Sequence, residues 1–477
     1  MFFDPEPECL TSPLPTTLWV ELTSKCPYDC IFCSRRTLRG DGEHMGPGIF
    51  RSLTAALIDP EVIRLNYSGE SVHYPHLLEA VRAAKATGAQ TELVTALSSI
   101  SPRTLQGLVE AGLDRLTISL HTMDAAQYTE LYRHASLDLL QKRMAELFGW
   151  KREMRSGTPQ VDFAFVAMND NLRQLLPVAR YAESFGCPRL AVFPVIRRDP
   201  IPCRFEAELH EGRLKSSFKL ALLETVAGVQ QSCPKIAIEV QNPELEPQQE
   251  LDAVPRYYSA ALPDGARIRT CDQNPWETAH VLANGDVVAC EAQEKTSLGN
   301  LRHQSLAEIW HGAKYRDFRR QYFTGESRTC RDCAWKMAYM PSELSGRIAV
   351  AENAGRQLLQ GWHARDSSGS LWSKGEAWVM LGNRPPCRLL RLQGLLPRSF
   401  DGSDNYLEVA CCGCNLGRIW NPAGEDIAFD TCFELPPAGH PALQVKLSTR
   451  TTLRPADAGL NSDTRKLGFA LFLIELL

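Results

Sequence analysis

Three cysteines, Cys26, Cys30 and Cys33 in the run Lys-Cys-Pro-Tyr-Asp-Cys-Ile-Phe-Cys, constrain this chain more than any other feature. Three thiolates at this spacing can hold three irons of a cube-shaped [4Fe–4S] cluster and leave the fourth iron open to a small molecule. Zinc is the alternative, but it usually takes two C-x2-4-C pairs that close a tetrahedron. Here no fourth cysteine and no histidine stands close by in the sequence.

With 477 residues the chain is long enough for about three domains. Its net charge of −4 and the lack of a basic stripe argue against a nucleic-acid partner. The N-terminus lacks the basic start and apolar run of a signal peptide, and no stretch reaches the roughly 20 apolar residues of a membrane span. Sixteen cysteines in a chain without a secretion signal point to metal sites and buried thiols in a reducing cytoplasm. Cys9, Cys187, Cys203, Cys233, Cys387 and Cys432 are scattered singly and read as small buried hydrophobes.

From residue 15 to about 230, short apolar runs alternate with helical stretches, the pattern of a parallel α/β sheet. Strands are expected at 17–22, 62–67, 90–95, 116–120, 161–167 and 190–195, the first delivering the cysteine loop at its C-terminal end. Ligands of parallel barrels gather at that end of the strands, where loops and helix N-termini converge.

The C-x3-C-x2-C run, with Phe32 before its last cysteine and six βα units around it, resembles the radical S-adenosylmethionine (radical SAM) family. The resemblance implies a partial (β/α)6 barrel, a [4Fe–4S] cluster on Cys26, Cys30 and Cys33, and S-adenosyl-L-methionine (SAM) bound to the open iron. One electron then breaks the sulfonium bond and releases a 5′-deoxyadenosyl radical, chemistry that belongs to the cofactor. By the same resemblance Phe32, Ser68, Gly69, Glu70, Ser119 and Arg133 contact SAM, and the backbone of Val192 touches adenine. Ser68-Gly69-Glu70 matches the family's Gly-Gly-Glu element, with serine for the first glycine; small residues are expected there because ligand and backbone approach closely. A departure follows Ser119, where this chain reads Leu-His-Thr and the family often has Leu-Asp-Gly. A flavodoxin or ferredoxin is the family's usual electron donor.

A second constellation comprises Cys271, Cys290 after an Asn-Gly-Asp hairpin turn, and the pair Cys330 and Cys333. Four cysteines around a hairpin also suit a zinc ribbon. The Gly285-x4-Cys290 spacing, the Leu-Gly-Asn-Leu turn, the Glu-Ile-Trp helix and the final C-x2-C closely resemble the auxiliary-cluster extension called SPASM, or its shortened form, twitch. No cysteine follows Cys333 until Cys387, so the resemblance implies one auxiliary [4Fe–4S] cluster on Cys271, Cys290, Cys330 and Cys333.

Beyond residue 362 short alternating runs and frequent turns suggest an antiparallel β-sandwich-like module. The order of its motifs loosely resembles β modules attached to glycan enzymes. Trp362 and Trp372 are candidates for sugar stacking, although core packing is the commoner fate of such residues. Cys411-Cys412-Gly-Cys414 is read within one strand, which sets Cys411 on the opposite face from its two neighbours. The expected architecture is therefore an α/β partial barrel over 1–235, a small α+β auxiliary-cluster domain over 236–345, and a bridging helix (about 343–361) with the β module over 346–477.

The functional expectation is hydrogen abstraction from a sugar or sugar-like small molecule, with dehydrogenation assisted by the auxiliary cluster. Maturation of a ribosomally made peptide is the alternative, set lower because such enzymes often carry an extra N-terminal leader-binding domain and here the cysteine loop begins at residue 26. A radical epimerase is another, with Cys187 or Cys203 as thiol hydrogen donor. An inert iron–sulfur scaffold with a glycan-binding module is the non-enzyme reading.

Overall fold

The structure is a computed structural model and describes residues 10–194, 216–240, 262, 264–271, 273–293, 296–331, 333, 336–350, 357–363, 371–383, 385–422, 424–436 and 442–477. Seven strands run parallel in chain order: β1 (Thr17–Val20), β2 (Val62–Arg64), β3 (Gln90–Thr95), β4 (Arg115–Ser119), β5 (Gln160–Ala167), β6 (Arg189–Pro194) and β7 (Ala237–Val240). The six expected strands all form, and β7 adds a seventh beside β6. Helices α1 (Arg35–Arg39) and α2 (Pro47–Ala56) follow β1, and α3 (Leu77–Lys85) and α4 (Pro102–Glu110) follow β2 and β3. Next come α5 (Ala125–Tyr132), α6 (Leu137–Glu153), α7 (Leu175–Ser184) and α8 (Ser216–Ser232). Their starts are written locally. Ser101, Asp124 and Ser136 each accept a backbone N–H of the first turn, and Pro102 takes the first helical position of α4.

The two faces of this sheet differ. Leu18, Ile63, Leu93, Leu116, Phe163 and Leu190 are buried in one core with the apolar stripes of the helices. The opposite, inner face carries alternating charges in register across the strands. Arg64 pairs with Glu92 (2.8 Å), Arg115 with Asp162 (3.2 Å), and Arg189 with Asp162 (3.4 Å) and Glu239 (3.2 Å). Each arginine meets an acid on a neighbouring strand, as cross-strand pairing favours. The barrel floor is thus polar but internally compensated.

The hairpin region brings a rearrangement that sequence spacing does not reveal. β9 (Thr278–Val281) lies parallel to β1, with Trp19 opposite His280, and β10 (Asp286–Val288) and β11 (Gly299–Asn300) extend the sheet to ten strands. The turn between β9 and β10 closes through the Gly285 N–H on the Leu282 carbonyl, with Gly285 at φ +87°, a left-handed position suited to glycine. A separate pair, β8 (Arg267–Cys271) with β12 (Lys336–Tyr339), and helices α9 (Leu306–Trp310), α10 (Ala313–Thr324) and α11 (Arg328–Arg331) complete this region.

The C-terminal strands form a sandwich. β13 (Arg347–Ala349), β14 (Leu371–Trp372), β16 (Leu389–Leu396), β19 (Ile427–Glu434) and β21 (Ala470–Leu476) make one sheet. β15 (Glu376–Gly382), β17 (Asn405–Cys411), β18 (Cys414–Asn421) and β20 (Ala442–Thr449) make the other. Two expectations are corrected. The bridging helix is not seen where expected: Arg347–Ala349 is instead a strand paired with β21, while residues 351–356 lie outside the described residues. Cys411 to Cys414 do not share a strand either. They flank a two-residue hairpin turn, with Cys412 and Gly413 both at positive φ and Cys411 paired across to Cys414.

The sandwich docks against the auxiliary region through Trp276, Tyr322, Phe323, Leu359, Trp378 and Met380. At its rim Lys374 reaches Glu277 (2.9 Å) and Glu61 (3.7 Å), and Asp59 receives Lys466 (2.9 Å) and Arg454. Asp59 and Glu61 precede β2, so the module sits at the N-terminal ends of the barrel strands. Trp362 belongs to its interior, donating its indole N–H to the Trp378 carbonyl and packing edge-on against Phe469.

Candidate active site and auxiliary pocket

The cysteine loop leaves the C-terminal end of β1 and is fastened at several points. The Ile31 N–H donates to the Leu131 carbonyl (3.0 Å), and buried Arg35 donates to the carbonyls of Ser24 (2.9 Å) and Gly40 (3.2 Å). Phe32 meets His121 and Tyr132 edge-on, with centroids 4.8 and 5.9 Å apart. The His121 ring in turn stacks on Tyr132 at 5.1 Å. This aromatic group ties the loop to the end of β4, where Ser119 stands. His121 Nδ1 accepts the Val166 N–H (3.1 Å), which leaves Nε2 to carry the proton toward the Ser119 hydroxyl (3.3 Å). Burial lowers the pKa of His121 to about 3, so it is a neutral, fixed-tautomer ring.

Opposite that group, Gly69 packs against the start of the cysteine loop. A Cβ at this position would lie 2.2 Å from the Thr23 carbonyl oxygen and 2.7 Å from that of Lys25. Backbone-on-backbone packing by itself requires a glycine here. Next to it the Glu70 N–H holds the Lys25 carbonyl (2.9 Å). The Glu70 side chain is buried; Oε2 accepts the Ala96 N–H (3.0 Å), while Oε1 has no hydrogen-bond partner among the described residues. Burial raises its pKa to about 7 against the Ala96 amide, with Thr95 and Val72 near enough to favour the charged form without a bond of good geometry. Ser68 donates its hydroxyl to Glu21, a buried carboxylate just past β1.

Arg133 caps α5 and points back over the loop toward Asp29, between Cys26 and Cys30, at 3.7 Å. Its φ of +43° and that of His134, +58°, are backbone strain held at this spot. Val192 lies on β6 with its side chain in the helix-side core. The structure thus gathers Cys26, Cys30, Cys33, Phe32, Ser68, Gly69, Glu70, Ser119 and Arg133 around the strand ends. The side chain of Val192 is not among them.

The second constellation closes in space. Cys271, Cys290, Cys330 and Cys333 all line one pocket with Gln293, Phe318, Tyr322, Thr329 and Lys336. Cys271 and Cys290 flank the N-terminal end of β9, so pocket and cysteine loop lie at opposite ends of the β1–β9 pair, separated by roughly 13 Å of strand. Gln293 donates to Ser327 (3.2 Å) and toward the Cys330 sulfur (3.7 Å).

Comparison with known proteins agrees with both constellations. A radical SAM superfamily model matches residues 20–147, and an iron-sulfur cluster-binding domain model, SPASM, matches residues 271–334. The chain is a radical SAM enzyme with a SPASM-type auxiliary domain. It is similar to a tungsten-containing aldehyde ferredoxin oxidoreductase cofactor-modifying protein of Pyrococcus furiosus, 22% identical over 67% of this chain and 88% of that one. The PqqA peptide cyclase of Rhodopseudomonas palustris is 26% identical over 68% of this chain and 80% of its own. Among solved structures, Streptococcus suis SuiB bound to S-adenosylmethionine aligns over 67% of this chain and 72% of that one, at 16% identity and a TM-score of 0.48, a likeness too loose to bear on function.

Radical SAM and SPASM domains imply SAM and [4Fe–4S] clusters, and the residues fit them. Burial pushes the Cys26 thiol up to about 12, with Glu70 and Cys33 adding to the shift; burial pushes Cys271 up to about 12 as well. Such thiols ionise only when a cationic centre takes the thiolates. Among the described residues no three Cys, His, Asp or Glu side chains converge on a point where one metal ion fits. Four thiols spread around a pocket suit a cube of iron and sulfur better than a single zinc at about 2.3 Å from each sulfur. The orphaned Glu70 Oε1 is a buried acceptor of the kind an ammonium group would fill. Cys187 lies at the N-terminal end of β6 in the core, away from the mouth, and burial raises its pKa to about 12. Cys203 lies outside the described residues.

Three residues of this radical SAM site escaped the sequence reading: Glu21, His121 and Tyr132. His121 had a visible sign, since it stands where the Ser-Leu-His run departs from the family pattern. Glu21 and Tyr132 had none; their roles come from contacts across 47 and 13 residues of sequence.

Proposed function

We propose that this radical SAM enzyme modifies a ribosomally made peptide. The observation that carries this reading is the similarity to PqqA peptide cyclases, 26% identical over 68% of this chain. By their names, the relatives above act on a peptide and on an enzyme cofactor, which favours the peptide alternative over the sugar substrate that the C-terminal module suggested.

In this reading Cys26, Cys30 and Cys33 hold the open cluster and Cys271, Cys290, Cys330 and Cys333 the saturated one. The bound cofactors supply one-electron cleavage of the SAM sulfonium bond, which starts hydrogen abstraction. Glu70 Oε1 receives the SAM ammonium, Arg133 faces its carboxylate and Ser119, held by neutral His121, meets the ribose. The Phe32–His121–Tyr132 group keeps the loop rigid and dry. The ladder from Arg64 to Glu239 gives a peptide backbone a polar floor with no excess charge. A flavodoxin- or ferredoxin-type protein delivers the electron in a reducing cytoplasm, which suits the free cysteines. No helix among the described residues is long and apolar enough to cross a membrane.

The test is anaerobic reconstitution with SAM, dithionite and each short peptide encoded beside the gene. A mass change in one peptide, with release of 5′-deoxyadenosine, supports the reading. Turnover on free sugars while every such peptide stays unmodified would overturn it.

A further inference from the structure

Glu21 stands one residue past β1, where the strand hands over to the cysteine loop. It is 1% exposed, yet its carboxylate receives three donors from three separate segments. The Ser68 hydroxyl comes from the loop that carries Gly69 and Glu70. Arg39 Nε (3.2 Å) comes from α1, directly after Cys33. The Ala283 N–H (2.9 Å) comes from the turn of the β9–β10 hairpin. The backbone repeats the link, since the Glu21 N–H donates to the Val281 carbonyl at 2.8 Å. One buried anion thus joins the SAM-facing loop, the exit of the cysteine loop and the auxiliary hairpin, whose far end carries Cys290.

We propose that Glu21 is a positioning residue that couples the seating of the auxiliary hairpin to SAM binding. A buried carboxylate deprived of one donor must turn toward those that remain, because an uncompensated lone pair is costly away from water. Here the remaining donors are Ser68 and Arg39, so a shift at Ala283 moves the segment that presents Glu70. Coupling of this kind is reciprocal: SAM must tighten the hairpin by the factor by which the hairpin tightens SAM. The inference rests on the reading that Glu70 faces SAM.

Two substitutions test it on the reconstituted holoprotein. Glu21→Gln keeps the shape and removes the charge. Ala283→Pro removes a single N–H at the second position of a turn, where the φ of proline fits. SAM affinity is read from the change in the electron paramagnetic resonance signal of the reduced N-terminal cluster, and hairpin order from hydrogen exchange of residues 282–286. Both variants should keep the iron content of the wild type and bind SAM about tenfold more weakly. In the wild type SAM should slow exchange at the hairpin, and in both variants that protection should vanish, a readout that mere loss of stability does not produce. SAM affinity within twofold of wild type in both variants, or a wild-type hairpin indifferent to SAM, overturns the proposal. Should Glu21→Gln fail to fold, Ala283→Pro and the wild-type exchange measurement decide it. A wild-type holoprotein that binds no SAM at all defeats the underlying reading as well, and that is known before any variant is made.

Discussion

The two cysteine constellations are built by opposite means. At the barrel mouth, three thiols come from one short loop, held by Arg35, Phe32 and the backbone of Gly69. In the auxiliary pocket, four thiols come from segments as far apart as Cys271 and Cys333 and meet where β8 pairs with β12 and the β9–β10 hairpin returns Cys290. The mouth keeps an acceptor open at Glu70 and backbone strain at Arg133 and His134. The pocket has thiols for every corner of a cube and aromatic walls from Phe318 and Tyr322. An incomplete ligand shell is where substrate chemistry can occur; a complete one suits structure or electron exchange.

The largest effect should separate the two. Cys30→Ala should abolish release of 5′-deoxyadenosine and lower iron from about eight to about four per chain. Cys330→Ala should lose the same amount of iron yet still cleave SAM. If both variants lose cleavage equally, the sites do not divide the work as their geometry indicates.

A smaller effect sharpens the role of the open acceptor. Glu70→Gln should weaken SAM binding about ten- to hundredfold, the range for a hydrogen bond to a charged group. Because the unliganded Glu70 titrates near 7, wild-type affinity should rise between about pH 6 and about pH 8 as the carboxylate ionises, and this rise should flatten in the variant. The stability of the SAM-free protein should run the other way. A carboxyl whose folded pKa is raised stabilises the fold while protonated, and that contribution fades as pH climbs from the usual carboxylate range through about 7. Calorimetry across this window checks the sign, and a wild-type stability that rose with pH, or a slope left unchanged in Glu70→Gln, would contradict it.

The smallest effect concerns the docked module. Burial lowers the pKa of Lys374, but Glu277 and Glu61 outweigh it and hold the ammonium charged. Lys374→Met leaves those carboxylates without their cation and should cost about 2 kcal/mol of stability while SAM cleavage continues. Calorimetry and 5′-deoxyadenosine release together test it; a loss of cleavage would mean that the sandwich does more than dock.

Much of this was legible in the chain itself. Short apolar runs alternating with helical stretches foretold the six strands β1 to β6, because the strand face that helices cover must be apolar. The thiol spacing around Cys26 is local and survives any packing, so its chemistry could be read directly. What the sequence could not supply was partnership over distance. That β9 pairs with β1, that Gly69 is small for the sake of Thr23, that Glu21 gathers donors from Ser68, Arg39 and Ala283, and that Cys411 to Cys414 turn a corner are consequences of tertiary packing. Residue type and spacing decide which chemistry a loop is able to perform. Only the folded chain decides which buried charge meets which donor, because contacts between remote segments leave no period in the sequence.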